Sequence, residues 1–195
     1  MNDPLSEKDD ASTPLSPEER EGLKFTHITL RSELNEVEQK NILKAEIWAF
    51  SRQREVLSDE FLYELHKRML GDVWEWAGVA RNSEKNIGVA PYQITTNLRN
   101  LIEDVKCWIE NDTYKPDEMA ARFHHRLVKI HPFPNGNGRH ARMAADLLLV
   151  QLGQQRFTWG KENLVDANET RQKYIQALRA ADEYDYELLF EFVRQ

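Results

Sequence analysis

The stretch RHARMAADLLLVQLG, residues 139–153, limits the fold more than any other, being apolar nearly all round after its first turn and ending at a glycine. A helix of that kind has no face to give to water and belongs at the centre of a bundle. The rest of the chain supplies the partners. Leu34, Val37 and Glu38, then Ile42, Ala45, Trp48 and Ala49, recur at helical spacing. A second helix starts after Ser58, a suitable cap, with Asp59 and Glu60 in its first turn, and ends at Gly71. A third turns Leu98, Leu101, Ile102, Val105, Trp108 and Ile109 to one face, until Asn111-Asp112 breaks it. The fourth opens at Pro116 and carries Ala120, Phe123, Leu127 and Ile130 inward up to His131. Two more follow in 167–195, with Tyr174, Ala177, Leu178, Leu188, Leu189 and Phe192 inward. The expected class is therefore all-α.

One region breaks the period. WAGVARNSEKNIGVAPYQI, residues 76–94, has two glycines, a proline and a polar tip, and reads as a projecting loop or small β-hairpin. A connector this long is uncommon unless it has a function. At 195 residues the chain is long enough for one core, expected over 23–195. Residues 1–22, rich in Pro, Ser, Asp and Glu, read as a disordered tail without a signal peptide or anchor, so the expected compartment is cytoplasmic. A net charge of -7 argues against nucleic-acid or anionic-membrane binding by the domain as a whole. Cys107, the single cysteine, reads as a buried core thiol. The histidines show no recognised zinc spacing, and His124, seven residues before His131 on the same helical face, reads as its support.

The join between the fourth helix and the central one is HPFPNGNGRHAR, residues 131–142. Asn135-Gly136-Asn137-Gly138 permits positive φ, so that backbone N–H groups can converge into an anion-binding nest at a helix N-terminus. Arg139 and Arg142 share a face in the first turn, which is the unfavourable end of the dipole for a cation. Two arginines there make sense with an anion between them, and guanidinium groups suit phosphate. His131 titrates near neutrality when unperturbed and could take a proton from an attacking hydroxyl, while Phe133 would anchor the turn. These residues alone predict phosphoryl or nucleotidyl transfer, against a purely structural turn with solvated arginines.

HPFPNGNGRHAR resembles the signature HPFx(D/E)GN(G/K)RxxR of the Fic (Fic/Doc) family, and eleven of twelve positions fit. The resemblance implies a helical bundle with a small β-hairpin flap that docks the target, here Ile87, Gly88, Val89 and Ile94. It implies transfer of AMP from ATP to a Ser, Thr or Tyr hydroxyl of a protein. By position His131 would be the general base and Phe133 the anchor. Gly136, Asn137, Gly138 and Arg139 would hold the α- and β-phosphates, and Arg142 the γ-phosphate; Tyr174 and its neighbours would line the base. One position departs: the acid that helps hold Mg²⁺ is Asn135 here, whose neutral amide oxygen makes a weaker hard-cation ligand.

THITLRSELN, residues 26–35, resembles the (S/T)xxxE(G/N) inhibitory motif of self-restrained members, and the inhibitory segment is taken as 26–36. Thr29, Glu33 and Asn35 fit it, in preference to the register Ser32–Glu36. Glu33 would pair with Arg142 and block the γ-phosphate; alternatively TLRSELN only caps a helix. The whole is also similar to the mobile mystery protein B subgroup, which implies carriage on mobile elements and a small helix-turn-helix partner. The target protein stays unidentified, and self-association is open. A second class of function, a nucleotide-sensing or interaction module with little turnover, rests on Asn135; within the enzymatic class the alternatives are transfer of another phosphate-containing group and removal of AMP with Glu33 positioning water.

Overall fold

The computed structural model describes residues 15–161, 164 and 169–195. Among these the regular elements are eight α-helices, named in chain order: α1 Pro17–Glu21, α2 Arg31–Phe50, α3 Asp59–Leu70, α4 Ile94–Glu110, α5 Pro116–Ile130, α6 Asn137–Gln151, α7 Glu169–Asp182 and α8 Glu187–Val193. Helix α6 touches α5, α3 and α2, as its composition requires, and Ala141, Ala144, Ala145, Leu148 and Leu149 are wholly buried. Alanine on the faces of a central helix lets its neighbours approach closely. It begins two residues earlier than the arginine, so Asn137 and Gly138 form its first turn.

The local signals act as read. The Ser58 hydroxyl accepts from Phe61 N–H, with Asp59 and Glu60 in the first turn of α3 and Gly71 closing it. Pro116 starts α5, and Asn111 caps α4.

Four expectations are corrected. Residues 1–14 lie outside the described residues, but 15–22 do not form a loose tail. Ser16 and Glu19 close a capping box over α1, and Glu19 then reaches the 76–94 loop, pairing with Lys85 and accepting from the Ser83 hydroxyl. Its carbonyl accepts from the Trp76 indole at 2.8 Å. Cys107 is exposed, because the buried stripe of α4 runs through Leu98, Leu101, Ile102 and Val105 on the other side. Leu188 is exposed too, while Leu189 and Phe192 are buried.

The fourth correction concerns the flap. Among the described residues no strand forms within 76–94; the single β-bridge joins Leu23 to Trp74. Arg81 takes the place of cross-strand pairing. Its guanidinium donates to the carbonyls of Ser83, Val89 and His131, so the loop is wound around one side chain. Ile94 belongs to α4 and is buried, leaving Ile87, Gly88 and Val89 as the part of the flap that faces the site.

Candidate active site

Helix α5 ends by placing His131 at φ 54°, ψ 60°, a left-handed conformation that a non-glycine residue holds only when its surroundings enforce it. They do so here. The His131 N–H donates to Leu127 O at 3.3 Å, its carbonyl accepts from Arg81 Nε at 2.7 Å, and Arg81 N–H donates to Pro132 O at 2.9 Å. Gly88 lies so close that an added Cβ would stand 2.6 Å from the His131 Cβ, which only glycine avoids. The imidazole is 5% exposed. Burial first, then the nearby Arg81 charge, push its pKa down to about 4, against a weaker opposing bond to the Val128 carbonyl. At neutral pH it is an uncharged ring able to accept a proton.

The turn that follows is held from below by aromatic packing. Phe133 is fully buried, stacked on His66 at 3.7 Å between centroids and edge-on to Tyr63 and His140. His66 accepts from Gly78 N–H at Nδ1, so its Nε2 carries the proton and donates to Asn135 O at 3.0 Å. Asn137 closes the turn with two bonds: Phe133 N–H donates to its Oδ1 at 2.9 Å, and its amide donates to Phe133 O at 2.8 Å. The Asn137 side chain is thus a staple across the turn. The first α-helical bond of α6 runs from His140 N to Gly136 O, which leaves the N–H groups of Asn137, Gly138 and Arg139 at the open helix end. Gly136, at φ 79°, makes the corner.

The two arginines differ. Arg139 pairs at 2.6 Å with Glu38 of α2, a carboxylate only 2% exposed that also accepts from the Trp74 indole at 2.7 Å. Arg142 forms no ion pair among the described residues; its guanidinium carbon lies 5.5 Å from the centroid of the Tyr174 ring. The expected Glu33–Arg142 pair is absent. Glu33 is exposed and accepts from the N–H groups of Thr29 (3.4 Å) and Leu30 (3.3 Å), which makes it the cap of α2. Being at the third helical position, its carboxylate reaches back to the free N–H groups. Asn35 lies in the next turn, partly buried, and no described contact takes it to the arginines.

Nor does Asn135 fit the part of a metal ligand. Its amide oxygen accepts from Gly136 N–H at 2.6 Å and from Arg139 at 3.4 Å, so it faces donors beside a cation. No cluster of three His, Cys, Asp or Glu side chains suited to a metal occurs among the described residues. These donors do not fit a resident Mg²⁺.

His131, Asn135 to Arg139 and Arg142 all line one cavity of about 500 Å³. Ile87, Gly88 and Val89 of the flap close one side, and Val128, Ile175 and Leu178 give it an apolar wall. Arg31, Lys129, Arg171 and Arg179 add positive charge, against one acid among the described residues, Asp182. In a chain of net charge -7 this is a local reversal of sign, and it favours an anionic ligand.

Sequence reasoning missed His66, Arg81 and Glu38. His66 and Glu38 had a signal, being polar groups in register with buried faces; Arg81 had none. His124 does not support His131: its Nε2 lies 3.0 Å from the Tyr174 hydroxyl. Tyr174 sits beside Arg142 in the same cavity.

Comparison with known proteins agrees with this architecture. The fold matches the N-terminal Fic domain of a putative cell filamentation protein from Bartonella quintana, with a TM-score of 0.70 at 18% identity over 86% of this chain and 84% of that one. It also matches the BepC protein of Bartonella tribocorum with bound AMPPNP, with a TM-score of 0.68 at 18% identity over 92% and 97%. Residues 56–149 match the Fic/DOC family model. The chain is a Fic/DOC domain protein. Among curated relatives, the protein adenylyltransferase fic-1 of Caenorhabditis elegans is 30% identical over 141 residues, 68% of this chain and 25% of the relative. The protein adenylyltransferase Fic of Aedes aegypti is 29% identical over 136 residues, 68% of this chain and 26% of the relative. The chain thus spans about a quarter of the length of the curated relatives it matches. Among the described residues no helix is long and apolar enough to cross a membrane.

Proposed function

We propose that this chain transfers AMP from ATP to a hydroxyl group of a target protein. The observation that carries the reading is the meeting, in one cationic cavity, of an uncharged buried imidazole with the open end of α6. The names of the curated relatives support it, as does the nucleotide analogue bound in the Bartonella tribocorum relative. The N–H groups of Asn137, Gly138 and Arg139 receive the α- and β-phosphate oxygens, and Arg142 the terminal phosphate. His131 takes the proton of the attacking hydroxyl as its oxygen bonds to the α-phosphorus. The bond from that phosphorus to the pyrophosphate oxygen breaks, and pyrophosphate leaves. The flap orders an extended target segment along Ile87 to Val89 by backbone hydrogen bonds.

Self-restraint by Glu33 is a further part of the proposal. It requires the carboxylate to exchange the N–H groups of Thr29 and Leu30 for Arg142. The likeness to the mobile mystery protein B subgroup extends the reading to a small helix-turn-helix partner.

The test is Mg²⁺-dependent incorporation of α-labelled ATP into the chain and into lysate proteins, using the natural chain, Glu33→Gly, and Glu33→Gly with His131→Ala. Label in Glu33→Gly that disappears with His131→Ala supports transfer; little or no label in the natural chain beside it supports restraint. ATP binding without label in any form favours a sensing module, for which Asn135 is the motivating residue.

A further inference from the structure

We propose that α1 is a strap that holds the 76–94 flap in its target-receiving form, with Glu19 as the positioning residue. The proposal rests on the transfer reading above and concerns what prepares its target site. Among the described residues 76–94 form no strand, so no cross-strand ladder fixes the docking edge. Two side chains hold the flap instead, from opposite sides. From within, Arg81 donates to the carbonyls of Ser83, Val89 and His131. From without, the Glu19 carboxylate pairs with Lys85 and accepts from the Ser83 hydroxyl at 3.0 Å, while the Glu19 carbonyl accepts from the Trp76 indole at 2.8 Å. Water is largely kept from the ion pair, since the Lys85 and Glu19 side chains are 5% and 11% exposed. Behind burial and Arg81, the Lys85 charge also lowers the pKa of His131, so the strapped residue lies within electrostatic reach of the base.

The strap has its own root, and it precedes residues 56–149, the part that matches the family model. Glu75 N–H donates to Gly22 O at 2.8 Å and Lys24 N–H to Val73 O at 2.9 Å, while a Cβ added to Gly22 would stand 2.8 Å from the Trp76 ring. Loss of the Glu19 side chain therefore leaves 22–24 attached and frees only the tip of the flap. Lys85 stands two residues before Ile87, at the edge the target is to meet. At that edge Val89 is already engaged, its N–H donating to Ile130 O at 3.3 Å and its carbonyl accepting from Arg81. No described hydrogen bond takes up the backbone groups of Ile87 and Gly88, which leaves them for an extended polypeptide. That polypeptide binds best to an edge already in place, because ordering a loop at the moment of binding costs affinity. A buried ion pair adds little net stability over apolar side chains of the same size, but it is specific about where its partners stand. Such a contact suits a segment whose conformation matters more than its stability.

The experiment uses the full chain carrying Glu33→Gly, alone and with Glu19→Ala, Lys85→Ala, both together, or the exchanged pair Glu19→Lys with Lys85→Glu. Hydrogen exchange is followed by mass spectrometry, ATP binding by titration, and transfer from α-labelled ATP over a dilution series of lysate. Glu19→Ala and Lys85→Ala should each speed exchange in 83–89 about tenfold or more and leave α5 and α6 unchanged. ATP affinity should move by less than about twofold. The lysate concentration for half-maximal transfer should rise about tenfold, while the maximal rate stays within about threefold. The double variant should do no more than either single one, and the exchanged pair should restore part of the loss. If an alanine variant does not fold, Glu19→Gln replaces it, since the amide keeps an acceptor for Ser83 and removes the charge that Lys85 meets. Unchanged exchange in 83–89 overturns the proposal, as does a rise shared equally by α5 and α6, which would make α1 framework only. A loosened flap with unaltered transfer overturns it too. If ATP binds and no form transfers label, the transfer reading fails, and exchange in 83–89 still upholds or overturns the strap.

Discussion

Arg139 and Arg142 stand three residues apart on one helix and are held in opposite ways. Arg139 is locked to Glu38, a carboxylate that has lost nearly all contact with water, and that link fastens α2 to the first turn of α6. Arg142 has no ion pair among the described residues and lies with its guanidinium carbon 5.5 Å from the centroid of the uncharged Tyr174 ring. Burying a charge is costly unless it is paired, so a fully satisfied ion pair belongs where the fold needs rigidity. A cation held by neutral groups keeps its field, which belongs where a ligand is to be bound. The same residue type is therefore framework at one position and, under the proposed function, a ligand contact at the other.

The largest effect that would break this comparison is loss of the framework pair. Glu38→Ala leaves the Arg139 guanidinium and the Trp74 indole without their acceptor in a buried setting, and should destabilise the fold by about 3–5 kcal/mol. Arg142→Ala removes no carboxylate partner and should cost about 1 kcal/mol or less. Urea denaturation of the two variants measures both. Equal losses would mean that Arg142 is also framework.

A smaller effect sharpens the comparison by adding charge between the arginines. Asn135→Asp puts a carboxylate where the amide oxygen now accepts from Gly136 and Arg139. The acid supplies the hard, charged ligand that the natural chain lacks. ATP affinity in the variant should then drop about tenfold when EDTA is added, about 1.4 kcal/mol, and the natural chain should change less. Titrations with and without the chelator distinguish these outcomes; an equal drop in both would show that Asn135 does not set the metal dependence.

Most of this framework was legible in the sequence because it rests on local rules. The apolar helix at 139–153 demanded a central place, Ser58 and Pro116 marked helix starts, and the glycines and asparagines of 131–142 announced the turn. What was not legible depends on pairings between distant segments. Glu38 lies on the buried stripe of α2, yet nothing local says that its partner is 101 residues away. Glu33 matched an inhibitory motif, but a glutamate at the third position of a helix also satisfies free N–H groups, and that contact prevails in the structure. The glycines, proline and polar tip of 76–94 suggested a loop or small hairpin, and sequence cannot show that one arginine will take up the carbonyls that a strand would need.

The smallest expected effect is in the pH dependence, where the two arginine environments should again separate. His66, His124, His125, His131 and His140 all have folded pKa values below 6.5, with burial the first cause in each. Below pH 6.5 the unfolded chain binds protons that the folded chain refuses, so stability must fall as pH falls through that range. Asp146 opposes this: burial raises its pKa to about 6, so the folded chain gains on it between pH 6 and 3.8. Five histidines against one aspartate set the sign. Glu38 behaves differently, because the Arg139 charge and the Trp74 bond outweigh burial and hold its pKa below the usual 4.5. The stability it contributes persists above 4.5 and is lost only as pH falls through its lower folded value. Denaturation at stepped pH should therefore show a decline from pH 6.5 to 5 that becomes shallower in His124→Gln, by at most one proton or about 1.4 kcal/mol per pH unit. Glu38→Gln should lower stability at neutral pH yet leave that slope unchanged. A slope that instead followed Glu38 and ignored His124 would reverse the assignment of the charged and neutral supports.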